Sequence, residues 1–348
     1  MTVTEQSHLG AGRRPVPDIR DALVRSLRWE AEGVLSVELE SAGSTALGDW
    51  EPGAHLDVIL DNGLLRQYSL CSRPGEPWRV AVLREPASRG GSEFIHDQLR
   101  PGAVIGIRGP RNNFSLQPSP GYRFLAGGIG ITPIIAMVRR AEAAGADWSL
   151  DYLGRSRASM AFLNELEGYG DRVRVHADDT DGLFDLSTHQ RQPGAGTLAY
   201  ACGPGGLLGA LTGAAQAWDD PSALRIERFV SERQPADGTA AEGPVEAAET
   251  SSAEDTDKGS FIVELADGAE VEVGPGRSIL QALEEHGYAP LNSCREGICG
   301  TCETTVLAGE VEHRDSLLSE EEKLASQTMM ICVSRAAGMC PRLKLDLP

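Results

Sequence analysis

Three cysteines fall within nine residues of this 348-residue chain, in Asn292-Ser293-Cys294-Arg295-Glu296-Gly297-Ile298-Cys299-Gly300-Thr301-Cys302, and a fourth, Cys332, follows 30 residues after Cys302. Few folds accommodate such a loop. The total of seven cysteines is odd, and the first 17 residues hold Arg13 and Arg14 without the apolar stretch of a secretory signal. A disulfide framework is therefore not expected. Thiols crowded together in a reducing compartment indicate a metal. A flexible N-terminus over residues 1–17 and a cytoplasmic location are expected.

The spacing C-x4-C-x2-C with a distant fourth cysteine is that of plant-type [2Fe–2S] sites. Four thiolates must reach two irons while the loop wraps a buried anionic cluster, and Gly297 and Gly300 let backbone N–H groups approach the sulfurs. Cys294, Cys299, Cys302 and Cys332 are the expected ligands. Structural zinc usually takes two short C-x2-C knuckles, and here there is one. Cys340 lies outside the pattern and reads as a packed thiol, as does Cys71.

Composition divides the rest of the chain. Between Glu232 and Lys258 eight acids face two bases, with one large aliphatic residue, Val245, and no aromatic. Such a segment cannot offset its chain entropy by burial, so 233–258 is expected to be an extended, acidic, flexible linker. Residues 18–118 alternate in short runs (VLSVELE, HLDVIL, RQYSL, WRVAVL, AVIGIRG) punctuated by glycine and proline, which predicts an antiparallel β-barrel with one helix at SEFIHDQL. Residues 119–232 alternate apolar strands with helices, which predicts an α/β domain with a parallel sheet. From 259 to 348 a hairpin around Asp267-Gly268, a helix and the cysteine loop predict a small α+β domain. The chain is therefore expected to be multidomain.

Two segments carry ligand chemistry. Arg66-Gln67-Tyr68-Ser69 offers a cation, an aromatic wall and polar groups, as a flavin needs. Alternation would put Arg66 and Tyr68 on one face and Gln67 and Ser69 on the other, unless the strand bends. Ser88-Arg89-Gly90-Gly91-Ser92 opens onto the barrel's one helix, a ready phosphate site. His55 and Trp78 read as core residues, His55 with its hydrogen bonds satisfied. In the next domain Gly127-Gly128-Ile129-Gly130-Ile131-Thr132-Pro133 joins a strand to an apolar helix, as a dinucleotide loop does, although Pro133 stands where G-x-G-x-x-G has its last glycine. A tight strand–helix turn is the alternative. Cys202-Gly203-Pro204 ends a later strand, and Arg155-Ser156-Arg157 follows the second, where an adenosine ribose would lie. Asp151 lies inside a strand, so no acidic ribose reader stands at a strand end.

On these motifs the C-terminal part resembles a plant-type ferredoxin of β-grasp type. With the preceding domains, and with the ferredoxin last, the chain resembles the phthalate dioxygenase reductase family, which includes vanillate demethylase reductases. Its first two domains are similar to ferredoxin–NADP reductase. The resemblance implies FMN held by Arg66, Tyr68, Ser69, Arg84, Gly91 and Ser92, with Phe229 covering the flavin face. It implies NAD(P) at Gly127, Gly128, Gly130, Thr132, Pro133, Arg155, Ser156, Cys202, Gly203 and Pro204, with Thr132 near the nicotinamide and Cys202 bordering the hydride path. NADH is favoured by the family; Arg155 and Arg157 would suit the 2′-phosphate of NADPH. No residue is assigned as nucleophile or acid–base catalyst.

The resemblance further implies a reductase that takes hydride from NAD(P)H and passes single electrons to a terminal Rieske-type oxygenase. A cytochrome P450 is the other protein acceptor considered. Alternatives are a self-contained reductase of quinones, ferric chelates or flavins, a non-catalytic electron carrier, and a zinc-stabilised interaction module. The formal net charge of −19 argues against nucleic acid, and the absence of a long apolar run argues against membrane insertion. Residues 264–346 carry fifteen acids and seven bases, as expected of a face that docks a basic partner. A monomer is expected.

Overall fold

The computed structural model describes residues 19–73, 75–86, 88, 90–229, 259–338 and 342–347. The expected flexible N-terminus and acidic linker, and Cys340, lie outside them.

Six antiparallel strands form the first unit: β1 (Arg20–Ala31), β2 (Val34–Ser41), β3 (His55–Ile59), β4 (Leu65–Ser69), β5 (Trp78–Leu83) and β6 (Val104–Arg111). They run in the order β4-β3-β6-β1-β2-β5, and a bridge from Leu70 to Val80 brings the edges together into a barrel. Five of these strands lie where the alternation predicts. The longest, β1, does not show in the pattern, because register shifts between Val24 and Ser26 and between Trp29 and Ala31 break its period, as bulges do. Helix α1 (Gly91–Asp97) follows β5. Trp78 is buried in the barrel and donates from Nε1 to Gly48 O at 3.0 Å.

The second unit is a parallel sheet of β7 (Gly121–Gly127), β8 (Asp147–Gly154), β9 (Val173–Ala177), β10 (Thr197–Cys202) and β11 (Leu224–Glu227), in the order β11-β10-β7-β8-β9. Helix α2 (Ile131–Ala143) is buried along most of its length. Between β8 and β9 the helical part is the single turn α3 (Leu163–Leu166) with 3-10 turns on either side. A further turn, α4 (Asp178–Asp181), precedes α5 (Gly205–Ala215). Asp151 is buried inside β8 and takes two bonds from Arg174, at 2.6 and 2.7 Å, so it is a structural ion pair. Arg139 on α2 ties this unit to the barrel through Cys71 O at 2.6 Å, while its fork holds Glu165.

The third unit contains β12 (Phe261–Leu265), β13 (Glu270–Val273), β14 (Glu303–Ala308), β15 (Val311–Glu312), β16 (Thr328–Met330), β17 (Arg335–Ala336) and β18 (Arg342–Leu345). The main sheet runs β13-β12-β18-β14-β16, with β12 and β18 parallel, a β-grasp arrangement. Helix α6 (Ile279–Glu285) starts at Ser278, whose hydroxyl caps Gln281 N while the Gln281 side chain returns the bond, a full capping box. Helix α7 (Glu320–Ala325) has the same device at Ser319 and Glu322. Among the described residues no helix is long and apolar enough to cross a membrane.

Candidate functional site

The four expected cluster ligands come together. Cys299, Cys302 and Cys332 are buried and Cys294 is half-buried. Their thiols bond in pairs, Cys294 with Cys299 and Cys302 with Cys332, and Cys294 also meets Cys332. Bonds from the Cys299 and Cys332 side chains and from the backbone N–H groups of Ile298 and Glu296 hold the Cys294 thiol well below the usual thiol range. Cys299 and Cys332 are pushed up, because neighbouring sulfurs take their protons as hydrogen bonds. Four thiols so arranged cannot ionise independently, and a cationic metal centre relieves that conflict. Among the described residues no three metal-binding side chains converge on one ion site; two pairs of thiols suit two irons. Gly297 (φ +71°) and Gly300 (φ +73°) are left-handed, and a Cβ at Gly297 would lie 2.6 Å from Val333 Cγ2.

A cavity of about 440 Å³ opens beside this loop. Its walls carry Arg66, Tyr68 and Ser69 of β4, Ser92 of α1, Thr132 of α2, Phe229, and Cys294 and Cys299. Gln67 lines it as well, so strict alternation does not separate this tetrapeptide onto two faces. Gly91 stands behind the wall, where a Cβ would meet Arg66 Nε at 2.5 Å; the missing side chain is what lets Arg66 lie across the start of α1. Arg84 lies outside the lining, at an exposed edge, in an ion pair with Asp97.

Among the lining residues that no sequence motif marks as ligand contacts, His55 and Glu227 stand out. His55 is 3% exposed, yet neither ring nitrogen has a hydrogen-bond partner, which corrects the expectation of a satisfied core histidine. It pairs across the sheet with Ser69, whose Oγ is also buried without a partner. Buried polar atoms without partners are costly, so both fit a ligand with a polar edge, as a flavin ring has. Burial, aided by the Arg111 charge, lowers the His55 ring to about 3. Glu227, at the end of β11, has its carboxyl pushed up to about 8 by burial.

The neutral state of His55 gives a first prediction. Below the ordinary histidine value near 6.5 the unfolded chain binds a proton that the folded one refuses, so stability falls with pH by about 1.4 kcal/mol per unit. From pH 6.5 to 5 the stability of the wild-type chain is expected to fall by ~2 kcal/mol relative to His55→Gln. Urea unfolding of both proteins at the two pH values checks it, and parallel losses would refute it.

The nicotinamide motifs meet at the carboxyl ends of the parallel strands. A Cβ on Gly130 would lie 2.3 Å from Cys202 O, and one on Gly203 3.0 Å from Gly127 Cα, so the two loops touch backbone to backbone. A Cβ on Gly127 would meet Pro204 Cδ at 2.6 Å. Gly128 (φ +55°) faces open space. Thr132 is buried and donates to Ile129 O at 3.1 Å; Pro133 is buried beside it. Cys202 is fully buried and its thiol is held well above the usual range by desolvation. Arg155 is exposed, Ser156 bonds Ser159, and Arg157 pairs with Glu167.

Side-chain hydrogen bonds join the cysteine loop to the barrel. Gln67 Nε2 donates to Cys299 O at 3.0 Å, Ser293 Oγ to Leu65 O at 3.4 Å, and Thr301 Oγ1 to Asp57 Oδ1 at 3.1 Å. Asp57 is fully buried and also accepts from Arg111 Nη2 at 2.8 Å. No sequence signal marks these contacts, since their partners lie more than 220 positions apart.

Residues 263–337 match the model of the 2Fe-2S iron-sulfur cluster binding domain. The chain is 39% identical to phenoxybenzoate dioxygenase subunit beta of Ectopseudomonas oleovorans over 93% of this chain and 96% of that one. Among solved structures, phthalate dioxygenase reductase superposes with a TM-score of 0.65 at 30% identity, covering 94% of this chain and 98% of its own. An intact type IV self-sufficient cytochrome P450 monooxygenase superposes with a TM-score of 0.78 at 40% identity over 97% of this chain. The chain spans 43% of that longer protein.

Proposed function

The chain belongs to the phthalate dioxygenase reductase-like family of flavin and [2Fe–2S] oxidoreductases, and from that we propose that it is the reductase component of a multicomponent oxygenase. In this reading it draws on NADH and delivers single electrons to a terminal Rieske-type oxygenase, one that demethylates or oxygenates an aromatic substrate. The carrying observation is the one cavity bounded by the flavin motif on β4 and by Cys294 and Cys299.

FMN, when bound, would supply the conversion of a two-electron hydride into single electrons, and a [2Fe–2S] cluster would supply a one-electron carrier. The side chains position and shield. Arg66 supplies positive charge for a phosphate, backed by Ser92 at the start of α1. Burial keeps the Tyr68 phenol protonated, so it can serve as a neutral wall and donor. His55 and Ser69 offer buried polar atoms to the ring edge. Thr132 and Phe229 bound the cavity on the side of the nucleotide domain. Glu227, uncharged near neutral pH, places no negative charge against an incoming nucleotide.

Of the two arginines that would suit a 2′-phosphate, Arg157 is engaged by Glu167, which supports NADH. The likeness to the fused P450 supports a second reading, in which the acceptor is a cytochrome P450. An anaerobic visible spectrum tests the proposal. The purified protein is expected to be coloured by flavin and cluster and to bleach with NADH at lower concentration than with NADPH. A colourless protein, or one that neither nucleotide bleaches, would refute it. Electron delivery to a purified Rieske oxygenase or P450 then separates the two acceptors.

A further inference from the structure

Thr301 stands between two acceptors. Its hydroxyl donates to Asp57 Oδ1 of the barrel at 3.1 Å and lies 3.3 Å from Cys299 Sγ in its own loop. All three groups are buried. As a free thiol, Cys299 can donate to the Thr301 oxygen, and both bonds coexist. A metal-bound thiolate only accepts, so Asp57 and Cys299 then compete for the single hydroxyl proton. Asp57 does not depend on Thr301, because Arg111 Nη2 holds the same oxygen at 2.8 Å. Its second oxygen has no partner. Turning the hydroxyl away therefore leaves no buried charge unpaired, the case that would make rotation prohibitive.

We propose that Thr301 is a positioning residue that couples arrival of an electron at the cluster to release of the iron–sulfur module from the flavin barrel. This rests on the reading above that the cysteine loop holds a [2Fe–2S] cluster. With the cluster oxidised, the Asp57 carboxylate is the stronger acceptor and Thr301 bonds across the interface. One electron, supplied ultimately by NADH, adds negative charge to the cysteine sulfurs. The hydroxyl then turns to Cys299 Sγ. The proton stays on Oγ1 throughout and no covalent bond changes; only its acceptor does. The interface thereby loses the bond from Thr301 to the buried Asp57 carboxylate, and the loop face becomes available to an external acceptor protein.

Reciprocity fixes the companion effect. If reduction weakens docking about tenfold, docking lowers the one-electron midpoint potential of the cluster by about 59 mV. The test uses the full-length, flavin- and cluster-loaded chain. Anaerobic small-angle scattering measures docked and released fractions before and after dithionite, and an EPR-monitored titration measures the midpoint. In the wild type, reduction is expected to lower the docking constant about tenfold. In Thr301→Val the docking constant should not respond to reduction and the midpoint should fall, since the reduced sulfur loses a donor. Thr301→Ser should restore both.

A cluster-loaded wild type whose docking constant is the same in both redox states would overturn the proposal, as would Thr301→Val that still responds to reduction. The wild-type measurement alone is decisive should the valine variant fail to load its cluster. Protein without a cluster EPR signal after dithionite would instead overturn the [2Fe–2S] reading and the proposal with it.

Discussion

Cys332→Ser will lose the visible and EPR signature of the cluster and most one-electron delivery to a protein acceptor. Cys332 is the one proposed ligand that the loop does not itself contain, brought against Cys302 and Cys294 after β16 and 7% exposed. Loss of a mere outer-shell partner costs roughly 10–100-fold in metal affinity, and loss of one of four ligands should exceed that. Flavin content and NADH oxidation with a flavin-level acceptor should persist, because the cavity walls on β4, α1 and α2 do not include Cys332. Iron and sulfide analysis, the visible spectrum and turnover with the two kinds of acceptor give the check. Retained colour and full turnover would mean that the ligand set is wrong. The contrast matters because zinc or a purely structural thiol cluster predicts no loss of electron delivery.

The cysteine loop could be read in advance because its chemistry is written in local spacing, and the strand–helix alternation of 119–232 because its two periods are plain. What escaped was non-local or out of phase. Strand β1 hides behind two register shifts and small inward residues, Ala22 and Ala31. His55 and Asp57 sit in a strand that reads as ordinary alternation, yet one faces a cavity without partners and the other meets Thr301 from 244 positions away. Glu227 carries no sequence signal, because a carboxylate near a strand end has many uses; only its burial singles it out. Arg84 shows the converse, a residue carried by resemblance that here pairs with Asp97 at the surface.

The glycines of the nicotinamide motif separate two roles that the sequence merges. Gly130 has φ −60°, which alanine adopts freely, so a substitution there is not a backbone-strain experiment. Its Cβ would instead lie 2.3 Å from Cys202 O, 2.5 Å from Cys202 C and 2.8 Å from Gly203 N, all backbone atoms of the facing loop. Something must move, and overpacking of this kind costs about 1–3 kcal/mol. Parting the two loops by about 1 Å should slow flavin reduction by NADH on the order of a hundredfold in Gly130→Ala. FMN content, the cluster spectrum and reduction by dithionite should stay as in the wild type. Gly128→Ala differs: nothing lies within 4 Å of its Cβ, and only the left-handed φ of +55° is strained, at roughly 1–2 kcal/mol. Its effect should fall on the KM for the nucleotide, if the open face at Gly128 is where the nucleotide approaches. Stopped-flow reduction of both variants decides it. Equal, small losses in both would show that the loops yield easily and that their contact does not set the nucleotide site.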